Sequence, residues 1–228
     1  MEAKKAFDLY LDTVKEENRN LVTIAYDEMK SNQYEEAASH FDKLYTMDAS
    51  DYMSYFFRAY CKSYCGRRGD VYPDAQTLSS AFTSALKKAI EDEDTLETNM
   101  TLLINHYFEA MGNLAYNAVG EVSSNGVRTN HTRDRINRMA SQVLYDLATK
   151  NKDAIKGNNG VKGSVILWLK KYERIDLKRL GALIVFYEPE YASTYKRKRI
   201  MKIVKVLLSV GIPIAIFIVI VVAIINAI

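Results

Sequence analysis

Cys61 and Cys65 stand four residues apart, the spacing that puts two thiols on one face of a helix. Two thiols so placed are half of a zinc site, which needs further Cys or His ligands at defined spacing. His40, His106 and His131 are scattered singly along the chain, so no ligand set assembles, and the pair reads as two reduced cysteines of a reducing compartment. No G-x-x-x-x-G-K-[ST] or G-x-G-x-x-G phosphate loop occurs, and neither does a G-x-S-x-G elbow or an H-E-x-x-H motif. The expectation is a non-catalytic chain without metal or cofactor. The alternative is a membrane-bound enzyme or regulator with its groups on one of two loops, Gly120–Asn130 or Asn151–Gly163, the second rich in Gly and Asn.

Two clusters could bind rather than react. Arg128, Arg133, Arg135 and Arg138 gather around Asp134 as a basic face for lipid or RNA. Aromatic side chains do not alternate with these arginines, which removes the stacking platform of a single-strand binder, so no nucleic acid is expected. The second cluster is aromatic. From Tyr52 to Cys65, one stripe holds Met53, Phe56, Phe57, Tyr60, Cys61 and Tyr64, while Tyr52, Tyr55 and Ala59 lie largely on another face. Such a helix is either sandwiched inside a stack or lines a groove. In the second case Tyr52, Tyr55 and Arg58 touch a protein partner, tyrosine and arginine being enriched where binding energy concentrates.

The elements that position these residues read as helical throughout. Only Pro73, Pro189 and Pro213 interrupt the chain, glycines number 10, and hydrophobic content of 48% supports a packed core. Apolar residues at helical spacing predict helices over Met1–Arg19, Asn20–Ser31, Tyr34–Met47, Tyr52–Cys65, Asp74–Ile90, Thr95–Val119, Thr132–Ile155, Ser164–Tyr172 and Leu177–Tyr187. The short break at Ser31-Asn32-Gln33 makes the second and third an antiparallel pair.

The stretch from Asn32 to Asp48 resembles the second helix of a tetratricopeptide (TPR) repeat. Ala37, Phe41 and Leu44 fall on its small–aromatic–small places, and Leu21, Ile24 and Ala25 on the first-helix Trp, Leu and Gly places. Leu44 replaces the usual Ala, Ala49 a common Pro and Glu28 the usual Tyr. A looser copy follows, with Leu78, Phe82 and Ala85 after an inserted turn, so the resemblance covers about 20–91. It implies an all-α stack of antiparallel helix hairpins whose first helices line a concave, partner-binding surface, over a domain of 1–195. Val22 and Tyr26 stand where the chaperone-tail-binding subclass carries Lys and Asn, which argues against that subclass.

From Val206 to Ile228 no charged side chain occurs. As a helix rising about 1.5 Å per residue the run spans about 35 Å, enough for a bilayer core of about 30 Å. It reads as a single C-terminal transmembrane tail anchor over 206–228. Upstream, Lys196, Arg197, Lys198, Arg199, Lys202 and Lys205 form a basic collar over 196–205, which predicts that the N-terminal domain stays in the cytoplasm. A bacterial plasma membrane is favoured, with an organelle outer membrane or the endoplasmic reticulum as alternatives. Gly211, Ala215, Val219, Ala223 and Ala227 recur every four residues, a ridge suited to a homodimer through the anchor, although a lipid-facing helix explains the same pattern.

Charge is polarised along the chain. Residues 1–126 hold 12 Lys+Arg against 21 Asp+Glu, and residues 127–195 hold 13 against 7. With the collar beside it, the basic half is placed to meet anionic headgroups through Arg133, Arg135 and Arg138. The function expected is a membrane-anchored protein–protein interaction adaptor, scaffold or complex subunit, with a peripheral anionic-lipid sensor as the other alternative.

Overall fold

Apolar residues three and four apart give each segment one face that must be covered, and turn chemistry decides where each helix stops. The computed structural model describes residues 3–65, 71–118, 121–122, 128–129, 131–206 and 209. The chain folds into helices α1 (Ala3–Thr13), α2 (Glu16–Lys30), α3 (Tyr34–Met47), α4 (Tyr52–Cys65), α5 (Tyr72–Glu91) and α6 (Leu96–Asn117). A two-residue antiparallel ladder, Glu121–Val122 with Arg128–Thr129, lies inside the expected loop Gly120–Asn130. Helices α7 (His131–Lys150), α8 (Lys152–Gly157), α9 (Asn159–Tyr172) and α10 (Leu177–Tyr187) follow, then a 3₁₀ turn Pro189–Tyr191 and a helix α11 over residues 192–206.

Helices adjacent in sequence pack on one another from α2 to α7, and α4–α6, α5–α7 and α7–α9 touch across one intervening helix. This is a stack of helix hairpins. Ala37, Phe41, Leu44, Leu78, Phe82 and Ala85, the second-helix places the repeat resemblance marks, are fully buried. Rings continue from element to element: Phe41 on Phe57 at 5.2 Å, Phe56 on Phe82 at 6.3 Å, Phe82 on Tyr107 at 4.2 Å and Phe108 on Trp168 at 5.6 Å. Helix α6 lies at the centre, buried along most of its length, and also packs against α1 and α9, contacts that a simple linear stack does not make.

Three expectations are corrected. The predicted helix Met1–Arg19 breaks at Val14–Lys15, without Gly or Pro, because burying Phe7 and Tyr10 requires α1 to turn back onto α6 and stack Phe7 on Tyr26. Lys15 holds the break, bonding Asp48 at 2.8 Å. That same stacking turns Tyr26 inward, so α2 buries Val22, Ala25, Tyr26 and Met29 while Ile24 is exposed and Leu21 half-buried. The third correction is the loop Asn151–Gly163, which is helical on both sides of Asn158. Gly160 leaves room there for a close approach: Glu97 Oε1 accepts the Gly160 N–H at 2.7 Å, and a Cβ would lie 2.5 Å from that oxygen, so the Glu97 side chain would have to shift. At the α2–α3 turn Asn32 takes φ 62°, and the Gln33 and Asn32 N–H groups cap the carbonyls of Glu28 and Met29.

Among the described residues no helix is long and apolar enough to cross a membrane. The anchor expected over 206–228 lies outside the described residues except for Val206 and Ser209, as do its packing residues Gly211, Ala215, Ala223 and Ala227.

Burial raises the pKa of many tyrosines: Tyr26, Tyr34 and Tyr187 are pushed up to about 12, and Tyr60, Tyr107 and Tyr172 further. The fold holds their protons after the unfolded chain has released them, so stability is full below the ordinary tyrosine value and falls as pH rises. The loss sets in at about pH 10, where the unfolded chain begins to release these protons, and grows toward the raised values. Thermal melts followed by circular dichroism should show a steep drop in Tm over that interval; a flat profile would contradict the burial.

Candidate functional site

Helix α4 is held on several sides. Met53, Phe56, Phe57, Ala59, Tyr60 and Cys61 are buried among α3, α5 and α6, so the helix is sandwiched along most of its surface. Its remaining rim separates the three expected contact residues. Arg58 Nη1 bonds Asp42 Oδ1 at 2.5 Å and sits 5.3 Å from the Tyr45 ring and 5.4 Å from the Tyr55 ring. Tyr55 and Arg58 therefore form one half-exposed cluster with Tyr45 and Asp42 across α3 and α4. Tyr52 points elsewhere: its hydroxyl accepts the Asn99 amide at 2.7 Å, toward α6.

Beside Tyr52 is a polar cavity of about 230 Å³, where the α1–α2 break, the α3–α4 turn and the α5–α6 turn meet. Asp51 on its wall caps α4 by accepting from the Met53 and Ser54 N–H groups at 3.1 and 3.0 Å. Lys15, with Ser50, holds the Asp48 carboxyl well below the usual carboxylate range. The buried amide oxygens of Asn18 and Asn99, also on the wall, have no protein partner among the described residues. Sequence reasoning did not find this cavity, because its walls come from three turns far apart in the chain. Asn99, an N-x-T asparagine, is committed to this wall and nearly inaccessible.

The thiols are placed for packing. Cys61 is fully buried and pushed up to about 12 by desolvation, and Cys65 is raised by the same cause while its Sγ lies 3.3 Å from the Cys61 carbonyl oxygen. His106 is a core residue: its Nδ1 lies 2.9 Å from the Leu102 carbonyl oxygen, and burial lowers its pKa. His40 Nδ1 meets Glu28 at 2.7 Å between α2 and α3. Among the described residues no group of His, Cys, Asp or Glu is arranged to hold a metal.

The arginines of α7 do not form one free basic face. Arg133 donates to the Ala115 carbonyl at 2.9 Å, satisfying the end of α6, and Arg135 lies 3.8 Å over the Tyr72 ring. Arg138 is exposed with no ion-pair partner among the described residues. Arg128 lies in the short ladder.

The collar is where the structure adds most. Lys196 to Lys205 lie on α11, and that helix is fastened to the domain. Glu173, only 2% exposed, accepts from Lys198 Nζ and from the Tyr191 hydroxyl at 2.9 Å. The Tyr195 ring lies over Gly181, where a Cβ would sit 2.5 Å from its Cε2, and the Tyr195 hydroxyl donates to the Lys178 carbonyl at 3.2 Å. Between α11 and the α9–α10 turn runs a groove of about 580 Å³ lined by Arg174, Arg197, Lys202, Lys205, Leu177 and Met201, among others. No local sequence pattern announces Glu173 as a partner of the collar or Arg174 as a wall of the same groove.

No protein family matches the chain, and no curated protein or solved structure is significantly similar to it.

Proposed function

We propose that the chain is a membrane-held, non-catalytic scaffold that presents a TPR-like helical stack to a protein partner, anchored by residues 206–228. The observation that supports this most is that α11 is locked to the domain through Glu173, Lys198, Tyr191 and Tyr195, with the uncharged run next in sequence. A helix fastened at its base sets the orientation of the domain against the surface from which it hangs, which suits a protein whose task is to present a face. The basic collar supports a cytoplasmic position for that domain, with a bacterial plasma membrane favoured. The TPR-like reading draws on the packing of successive helices and on the buried Ala37–Phe41–Leu44 and Leu78–Phe82–Ala85 sets.

The contact cluster is Tyr55 and Arg58 with Tyr45 and Asp42. Its arginine is already oriented by two rings and a carboxylate, so little conformational entropy is lost when a partner arrives. Crosslinking of the full-length protein in its native membrane, followed by purification, should capture a protein partner. Tyr55→Ala with Arg58→Ala should lower that capture by about tenfold or more while Tm moves by only a few degrees. Undiminished capture would place the binding face elsewhere.

A further inference from the structure

We propose that the groove between the α9–α10 turn and α11 binds the phosphomonoester headgroup of an anionic lipid, a reading that rests on the proposed membrane attachment. The groove wall carries six cations and one carboxylate, Glu173. That carboxylate is already taken by Lys198, and Lys170 is taken by Glu188. Arg174, Arg197, Lys202 and Lys205 have no ion-pair partner among the described residues. Four unpaired like charges held around one concavity by a docked helix repel each other, and an anion seated between them removes that repulsion.

A phosphomonoester suits the site better than a carboxylate or a diester. It carries close to two negative charges and three acceptor oxygens, and the guanidiniums of Arg174 and Arg197 offer paired donors to such oxygens. Thr194 adds a hydroxyl to the same wall. The lipid source is favoured over free phosphate by the rest of the lining. Leu177 and Met201 make part of the wall apolar, and α11 exposes Ile200, Ile203, Val204 and Val206 alongside. A helix with basic and apolar residues side by side belongs at the headgroup level of a bilayer, and the described part of this one reaches Val206, the first residue of the uncharged run. The same groove explains why the collar is docked rather than free: a docked collar turns diffuse attraction into a shaped site.

The test is calorimetric titration of the full-length protein in a nonionic detergent with dioctanoyl phosphatidic acid, dioctanoyl phosphatidylcholine and inorganic phosphate. Phosphatidic acid should bind saturably at one per chain, with phosphatidylcholine silent and inorganic phosphate much weaker. Arg174→Gln with Lys202→Gln should weaken phosphatidic acid binding by about tenfold or more, and Arg197→Gln with Lys205→Gln should do likewise. Lys87→Gln with Lys88→Gln removes the same charge from exposed positions on α5 and should leave binding unchanged. Equal weakening by the α5 pair would mean diffuse attraction and overturn the site, as would phosphatidic acid binding no better than phosphatidylcholine. Inorganic phosphate binding as tightly as the lipid would overturn the lipid assignment. The titration does not depend on residues 206–228 spanning a bilayer, so failure here and failure of the anchor are separate results.

Discussion

Phe57→Ala is expected to destabilise the domain by about 3–5 kcal/mol, a large share of the roughly 5–15 kcal/mol that holds a domain of this size together. Phe57 is fully buried and its ring meets Phe41 at 5.2 Å, Phe56 at 5.4 Å and the His106 imidazole at 5.2 Å. Removing it opens a cavity shared by α3, α4 and α6, and each of these is fixed by other neighbours, so the walls cannot close inward. Tyr55→Ala, two residues away on the half-exposed rim, should cost about 1 kcal/mol or less. Urea unfolding in a nonionic detergent, followed by circular dichroism, separates the two. Equal losses would mean that the rim of α4 is as buried as its core face, and the contact cluster would lose its basis.

Lys198→Met should release α11 from the domain. The substitution leaves the Glu173 carboxylate at 2% exposure with only the Tyr191 hydroxyl to satisfy it. Breaking a buried pair by removing one partner costs about 3–5 kcal/mol, and because Lys198 is itself 47% exposed the effect here is set at about 2–3 kcal/mol. Gly181→Val attacks the same contact from the other side, since its side chain needs the volume of the Tyr195 ring. Hydrogen exchange should report both: amides of residues 192–206 lose protection while those of α6 keep theirs. Retained protection over α11 in both variants would show that the helix is not held by these contacts.

What could be read from the sequence was whatever local periodicity determines. Phe41, Phe82 and the seam of α4 lie at helical spacing with small residues around them, and a hairpin partner is only a short turn away, so pattern and packing agree. The register of α2 was off by one residue because its inward face is chosen by Phe7, on a helix whose return to α6 has no local signal. Gly157, Asn158 and Gly160 read as loop from low helix propensity, yet a glycine inside α9 is what lets Glu97 approach the backbone. Unusual aromatic content marks α4, and the structure brings Tyr55 and Arg58 together on its rim, whereas spacing groups Tyr52 with them although it bonds Asn99 on another side. The clasp of Lys198 on Glu173 joins residues 25 apart through a buried carboxylate, and a run of cations read along the chain gives no hint of which one is used.

The central claim is that residues 206–228 hold a folded domain to a membrane, and alkaline carbonate extraction of membranes tests it most directly. The full-length protein should stay in the pellet through carbonate and high salt and be released only by detergent. Residues 1–205 should be released by high salt and remain strongly helical by circular dichroism. Release of the full-length protein by carbonate alone would contradict the anchor, and retention of residues 1–205 after carbonate would place the attachment in the domain instead.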